Sequence, residues 1–209
     1  FVQADAASRR GLTQVLAGFE GVLALNLRVP ILVFVLSLSH PAAADSPVID
    51  LYEIEGNSLA DLRLELAAKG PVGKDGVRHQ GYTTWNVSWR FKTRSVGTTC
   101  EILDLSTSIE SNISMPTWNP SPNVSAELVE RWNAYRSALE AHEQGHHEFA
   151  LNSADEIKRE LGNLRGNVGC SQLVEQLNTQ GREIIEKQVR LEREYDQRTR
   201  HGATQGAVL

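Results

Sequence analysis

Residues 142–146 read His-Glu-Gln-Gly-His, and no other stretch narrows the fold of this chain so far. Two histidines four apart leave one face of a helix about one turn apart, close enough to bind one zinc ion at roughly 2.0–2.1 Å per bond. The pattern therefore demands a helix, and a helix with one face that other elements close over. Glu143 stands beside the pair, where a carboxylate serves as general base and then general acid in metal-assisted hydrolysis.

The surrounding residues agree with that demand. Trp132, Tyr135, Leu139, His142, His146, Phe149 and Ser153 follow steps of three and four, one stripe of a 3.6-residue period. Both histidines thus lie on the buried face, where two titratable rings cost stability unless something pairs with them. A metal ion is one partner; core hydrogen bonds are the alternative. Gly145 is unfavourable inside a helix by about 0.8–1.0 kcal/mol relative to alanine. Close approach of another backbone or of a substrate would explain it.

The flanking chain supplies an α+β frame. Val48–Ile54 alternates apolar and polar residues, and Gly56-Asn57 marks a turn. Ser58 is a helix cap for the stripe Leu59, Leu62, Leu66 and Ala67, which Gly70-Pro71 ends. Tyr82–Lys92 puts Trp85, Val87, Trp89 and Phe91 on one face of a strand, and Cys100–Ile113 offers another with Ile102, Leu103 and Leu105. These strands predict a small antiparallel sheet. Met115–Pro120 is expected to break regular structure, with Trp118 over a substrate cleft or as a lid on the core. The motif helix starts at Ser125, with Glu127 and Glu130 in its first turn, passes Leu161 or Leu164 and stops at Gly166 or Gly169. A second helix from about Ser171 to Tyr195, bearing Leu173, Leu177, Ile184, Ile185, Val189 and Leu191, returns as an antiparallel hairpin. The expected whole is zincin-like: sheet and short helix first, then the long hairpin carrying the motif.

Ahead of this frame, Arg28, the ten-residue apolar run Val29–Leu38 and the small residues Ala42-Ala43-Ala44 read as a secretory signal cleaved after Ala44. Ten residues are too few to span a bilayer, which takes roughly 20. Residues 1–44 are thus an extension with a signal peptide, and residues 45–209 a single exported domain, periplasmic or secreted, with no stable membrane span once the signal is cleaved. Removing the three basic and two acidic residues of 1–44 leaves 18 basic against 24 acidic, a formal charge of −6. Nucleic acid is excluded as a partner, since its recognition rests on a basic face. Cys100 and Cys170 are the only cysteines; in an oxidising compartment they are expected to form a disulfide, against the alternatives of buried thiols or metal ligands.

A catalytic zinc takes three protein ligands and keeps one position open. The position six residues past His146 is Asn152, which excludes a His-x-x-Gly-x-x-His extension. His147 leaves the helix about 100° from His146 and is a poor chelate partner. Glu175, Glu183 and Glu186 on the second helix, or Asp196 and His201 beyond it, remain as third ligands.

The blocks around His142-Glu143-Gln144-Gly145-His146, the Gly81–Trp89 strand, Cys100, Pro116-x-Trp118 and Tyr195-Asp196-x-x-Thr199-x-His201-Gly202 together resemble a family of secreted bacterial zinc-dependent proteases, catalogued mainly as a domain of unknown function. The resemblance covers about residues 48–206 and implies an exported metallopeptidase with one zinc ion per chain. The pairing of the two histidine-bearing blocks favours His201 as third ligand. The expected site is then zinc on His142, His146 and His201, Glu143 as base, Tyr195 as donor to the developing oxyanion, and Asp196 orienting a ligand histidine. The substrate is a protein, peptide or cell-wall amide. Two other classes compete: a metal-binding protein without turnover, and an interaction domain presenting the acidic face Glu183–Glu194.

Overall fold

The computed structural model describes residues 46–164 and 168–209; the expected signal segment and the Gly166 helix stop lie outside them. The element order is β1 (Val48–Ile54), α1 (Leu59–Lys69), β2 (Tyr82–Val96), β3 (Thr99–Trp118), α2 (Ala126–Gly162), α3 (Cys170–Thr199) and a short 3-10 turn at Ala203–Gln205. The fold is α+β, as expected. Among the described residues, no helix is long and apolar enough to cross a membrane.

The sheet differs from the expectation in one respect. Its order is β1-β3-β2, and although β2 and β3 form an antiparallel hairpin, β1 pairs parallel to β3 from Val48↔Asn112 to Ile54↔Trp118. The sheet is therefore mixed. α1 and the loop after it carry the chain from β1 to β2, so β1 is free to add on the far side of β3 instead of beside its sequence neighbour. This pairing also keeps Met115–Trp118 in β3, where a break was expected. β2 starts opposite Ser114, so Pro116 sits where β3 has a single neighbour, a place where a missing N–H is tolerated. Trp118 is a core residue: its indole donates to the Gly56 carbonyl at 3.0 Å and meets Trp132 edge-on.

Local signals account for the helices. Ser58 accepts from the Asp61 N–H while the Asp61 carboxylate accepts from the Ser58 N–H, a reciprocal cap on α1. Ser125 caps α2 by accepting from Leu128 N–H. α2 and α3 run antiparallel, since His142 meets Tyr195, His146 meets Glu192 and Glu156 meets Lys187. Gly181 gives the hairpin room against the sheet: a Cβ there would lie 2.5 Å from the Trp89 ring. Cys100 and Cys170 form a disulfide between the start of β3 and the start of α3.

Two apolar clusters fill the interior. One joins Trp85 and Val87 to Ala150, Ala154, Ile157, Leu161, Leu173, Leu177, Ile184 and Ile185. The other joins Ile54, Leu62, Leu66, Ile113 and Met115 to Trp132, Tyr135 and Leu139. Along α2 the stripe is thus apolar up to Leu139 and again from Ala150. His142, Glu143, His146 and His147 are buried in the gap between.

Candidate metal centre

The gap on α2 faces a matching gap on α3. The buried stripe of α3 is Leu173, Leu177, Gly181, Ile184, Ile185, Gln188, Glu192, Asp196 and Thr199, apolar in its first half and polar in its second. Antiparallel packing sets the polar half of α3 against the histidines of α2. His142 Nε2 and His146 Nε2 are 3.2 Å apart, and Asp196 Oδ1 lies 3.3 Å from the first and 3.0 Å from the second. These three side chains are all buried, and they form the group among the described residues able to hold a metal ion.

The far side of each ring fixes its orientation. His142 Nδ1–H donates to Gln205 Oε1 at 2.9 Å, and His146 Nδ1–H donates to Glu192 Oε1 at 3.2 Å. With the Nδ1 atoms so engaged, the Nε2 lone pairs of both rings point at one another and at a carboxylate oxygen. Three electron-pair donors face one point, an arrangement that asks for a cation. A tetrahedral zinc with bonds of roughly 2.0–2.1 Å sets its ligands about 3.3 Å apart, and the observed triangle fits. Burial alone would lower the pKa of His146, but Asp196 and Glu192 on its two nitrogens outweigh burial and push it up to about 9. Burial likewise would raise Asp196, yet the two imidazoles hold it well below the usual carboxylate range.

The other expected site residues take distinct positions. Glu143 is buried beside the triangle; the Thr83 hydroxyl lies 2.7 Å from its carboxylate and 3.1 Å from its main-chain carbonyl. Gly81 makes room for it, since a Cβ at 81 would stand 2.6 Å from Glu143 Oε1. Tyr195 stacks on the His142 ring, with centroids 5.1 Å apart. Its hydroxyl donates to the His142 carbonyl at 3.3 Å and accepts from Gln205 Nε2 at 3.1 Å. That hydroxyl therefore lies on the main-chain side of the histidines, and Tyr195 buttresses His142. Gly145 is explained by the same contact, because a Cβ there would be 2.3 Å from the Tyr195 oxygen. His201 stands outside the three-donor group, its ring 61% exposed and Nδ1 3.5 Å from Asp196 Oδ1. Asp196, expected as an orienting group, takes the inner position. Glu175, Glu183 and Glu186 are exposed on other faces of α3.

Glu192, expected only within the acidic face Glu183–Glu194, and Gln205, not singled out by the sequence, both join the site. Glu192 is 1% exposed and receives both the His146 Nδ1–H and, at 2.8 Å, the Trp85 indole N–H. The signal for it was present: in steps of three and four the stripe of Leu173, Leu177, Gly181, Ile184 and Gln188 reaches Glu192 and Asp196, so both acids fall on the face that α3 buries. Gln205 carries no such signal, because it reaches His142 only through the turn after α3.

A cleft of about 430 Å³ opens over the triangle. Glu143 and the three donors form one wall, and His79, Gln80, Gly81 and Tyr82 form another. Gln80 is held at both ends, its carbonyl accepting from Tyr52 at 2.6 Å and its side-chain oxygen from Tyr135 at 2.8 Å. Burial raises the pKa of both tyrosines, so these donors stay protonated. His79 stacks on Tyr82 and is pulled below its ordinary pKa by burial, partly offset by Asp75.

The family described as bacterial proteins of unknown function (DUF922) matches residues 49–202. The chain belongs to this family. The match spans every element from β1 to the end of α3, including the three-donor group and Glu143, so these residues lie within the family's own domain. No curated protein and no solved structure matches the chain.

Proposed function

We propose that the chain is an exported, zinc-dependent hydrolase of peptide or related amide bonds, with His142, His146 and Asp196 holding the metal and Glu143 as the base. The convergence of two Nε2 atoms and one carboxylate oxygen at 3.0–3.3 Å carries this reading, together with a buried carboxylate beside them on the same cleft wall. Zinc in such a set supplies a Lewis acid that polarises a carbonyl and makes a water acidic near neutral pH. Glu143 takes the proton of the attacking water and returns it to the departing amine. Thr83 fixes the Glu143 carboxylate, Glu192 and Gln205 fix the two rings, and Tyr195 keeps His142 from tilting. Asp196 as ligand replaces His201, which the family resemblance had favoured. The disulfide supports export, because such bonds persist in oxidising compartments.

One observation favours a metal-binding protein without turnover: the Glu143 carboxylate is already tied to Thr83. The wild type and one variant together separate the two readings. Glu143→Gln is expected to keep its zinc and to lose cleavage of a mixed peptide library, read by mass spectrometry of new termini. Undiminished cleavage by that variant removes Glu143 as base. Absence of cleavage by the wild-type zinc protein leaves the metal-binding reading.

A further inference from the structure

The turn that ends α3 is built against backbone preference. Arg200 and His201 both adopt left-handed conformations, with φ of 51° and 53°, and Gly202 follows at 81°. Glycine or asparagine is the usual residue at such a helix end, and two consecutive side-chain-bearing residues there are strained. The strain has a visible product. The turn sets Arg200 and His201 among the residues lining the cleft, and it passes so close to His142 that a Cβ added at Gly202 would stand 3.0 Å from the ring.

The charges around the cleft are divided. Among the described residues lining it, Glu143 and Asp196 are the acids, and both belong to the metal end. Arg63 and Arg200 are the permanent cations, and both lie on the rim. Arg63 donates from Nε to the Leu209 carbonyl at 2.8 Å, whereas the Arg200 side chain has no hydrogen bond or ion pair with another described residue. An unpartnered guanidinium, held over a cleft by a strained turn in a chain of formal charge −5, is a recognition group for an anion, with a fork that matches a carboxylate. The field of such a rim also gathers anions from solution.

We infer that the cleft selects peptides carrying a carboxylate near the bond to be cut, with Arg200 as the residue that reads it and Arg63 reinforcing the field. This deepens the hydrolase reading and rests on it for the word "cut", but the selection itself is a property of binding. Two sources offer that chemistry, an acidic side chain or a free C-terminal carboxylate.

Calorimetric titration of the whole chain, with one equivalent of zinc and again without, tests the inference using three alanine pentapeptides. One is blocked at both ends, one is blocked with a central glutamate, and one has a free C-terminus. At least one carboxylate peptide is expected to bind about tenfold or more tightly than the neutral one, and which of the two does so names the source. Arg200→Asn, which suits the left-handed backbone better, is expected to fold with an equal or higher Tm and to lose most of that preference; Arg200→Lys is expected to restore part of it. Equal binding of all three peptides overturns the inference, as does an undiminished preference in Arg200→Asn. Binding with the stated preference but no cleavage of any peptide overturns the hydrolase reading and leaves the selection standing.

Discussion

Near Cys170, α2 and α3 face each other through Ala150, Ala154, Ile157 and Leu161 on one helix and Leu173, Leu177, Ile184 and Ile185 on the other. At the opposite end the same two stripes carry His142 and His146 against Glu192 and Asp196. Helix geometry is shared, yet the two ends hold together by different means. The apolar end gains free energy simply by leaving water and is further tied by the disulfide. The polar end gains nothing from burial unless its nitrogens and oxygens find partners, and both ring nitrogens of His142 and of His146 have them. One hairpin thus has an end that supplies stability and an end that is kept in register by it.

The difference is sharpest if the apolar end is weakened alone. Leu161→Ala or Leu177→Ala, at positions with no exposed surface, is expected to cost about 2–5 kcal/mol in denaturant unfolding. Zinc stoichiometry of the folded protein should stay unchanged, and lost stoichiometry would mean the two ends are not separable. Replacing both cysteines by serine opens a loop of sequence separation 70. The chain-entropy model puts the loss at about 4 kcal/mol, again without effect on the metal.

At the polar end, Gly145→Ala brings a Cβ within 2.3 Å of the Tyr195 oxygen. Helix propensity returns up to about 1 kcal/mol, but overpacking of about 1–3 kcal/mol dominates. Zinc affinity should fall, since the His142 ring rides on Tyr195. Gly145→Ala combined with Tyr195→Ala should recover stability relative to the sum of the single changes, and strict additivity would show that the contact does not govern Gly145.

The smallest effect lies between the two ends. Glu156 meets Lys187 at 2.7 Å and Gln188 at 2.9 Å. Burial would raise the Glu156 pKa, but these partners outweigh it and lower it. A carboxylate with a depressed folded pKa adds stability above its unfolded value and loses it as pH falls through the folded one. Glu156→Gln should therefore destabilise by under about 1 kcal/mol at pH 7, and the difference should vanish on acidification. A gap that widens in acid contradicts the sign.

Much of this was legible in the residues. The motif, the stripe of α2 with its Ser125 cap, the alternation Trp85, Val87, Trp89 and Phe91, and the hairpin follow from periodicity, which local sequence records directly. The parallel pairing of β1 is a long-range choice that no local pattern encodes, and Pro116 misled because its tolerance depends on where β2 begins. Which side chain joins the two histidines turned on four residues. α3 was expected to end near Tyr195 and runs to Thr199, which moves Asp196 from a loop into the buried stripe. The left-handed turn at Arg200 and His201 then swings His201 to the rim. Helix ends carry weak sequence signals, and here one helical turn decides which side chain meets the histidines.

Metal content of the purified chain, compared across single substitutions by mass spectrometry, tests the central claim most directly. The geometry predicts about one zinc per chain in the wild type, Glu143→Gln and His201→Ala, and its loss in His142→Ala and Asp196→Ala. Full zinc in Asp196→Ala with loss in His201→Ala would contradict it.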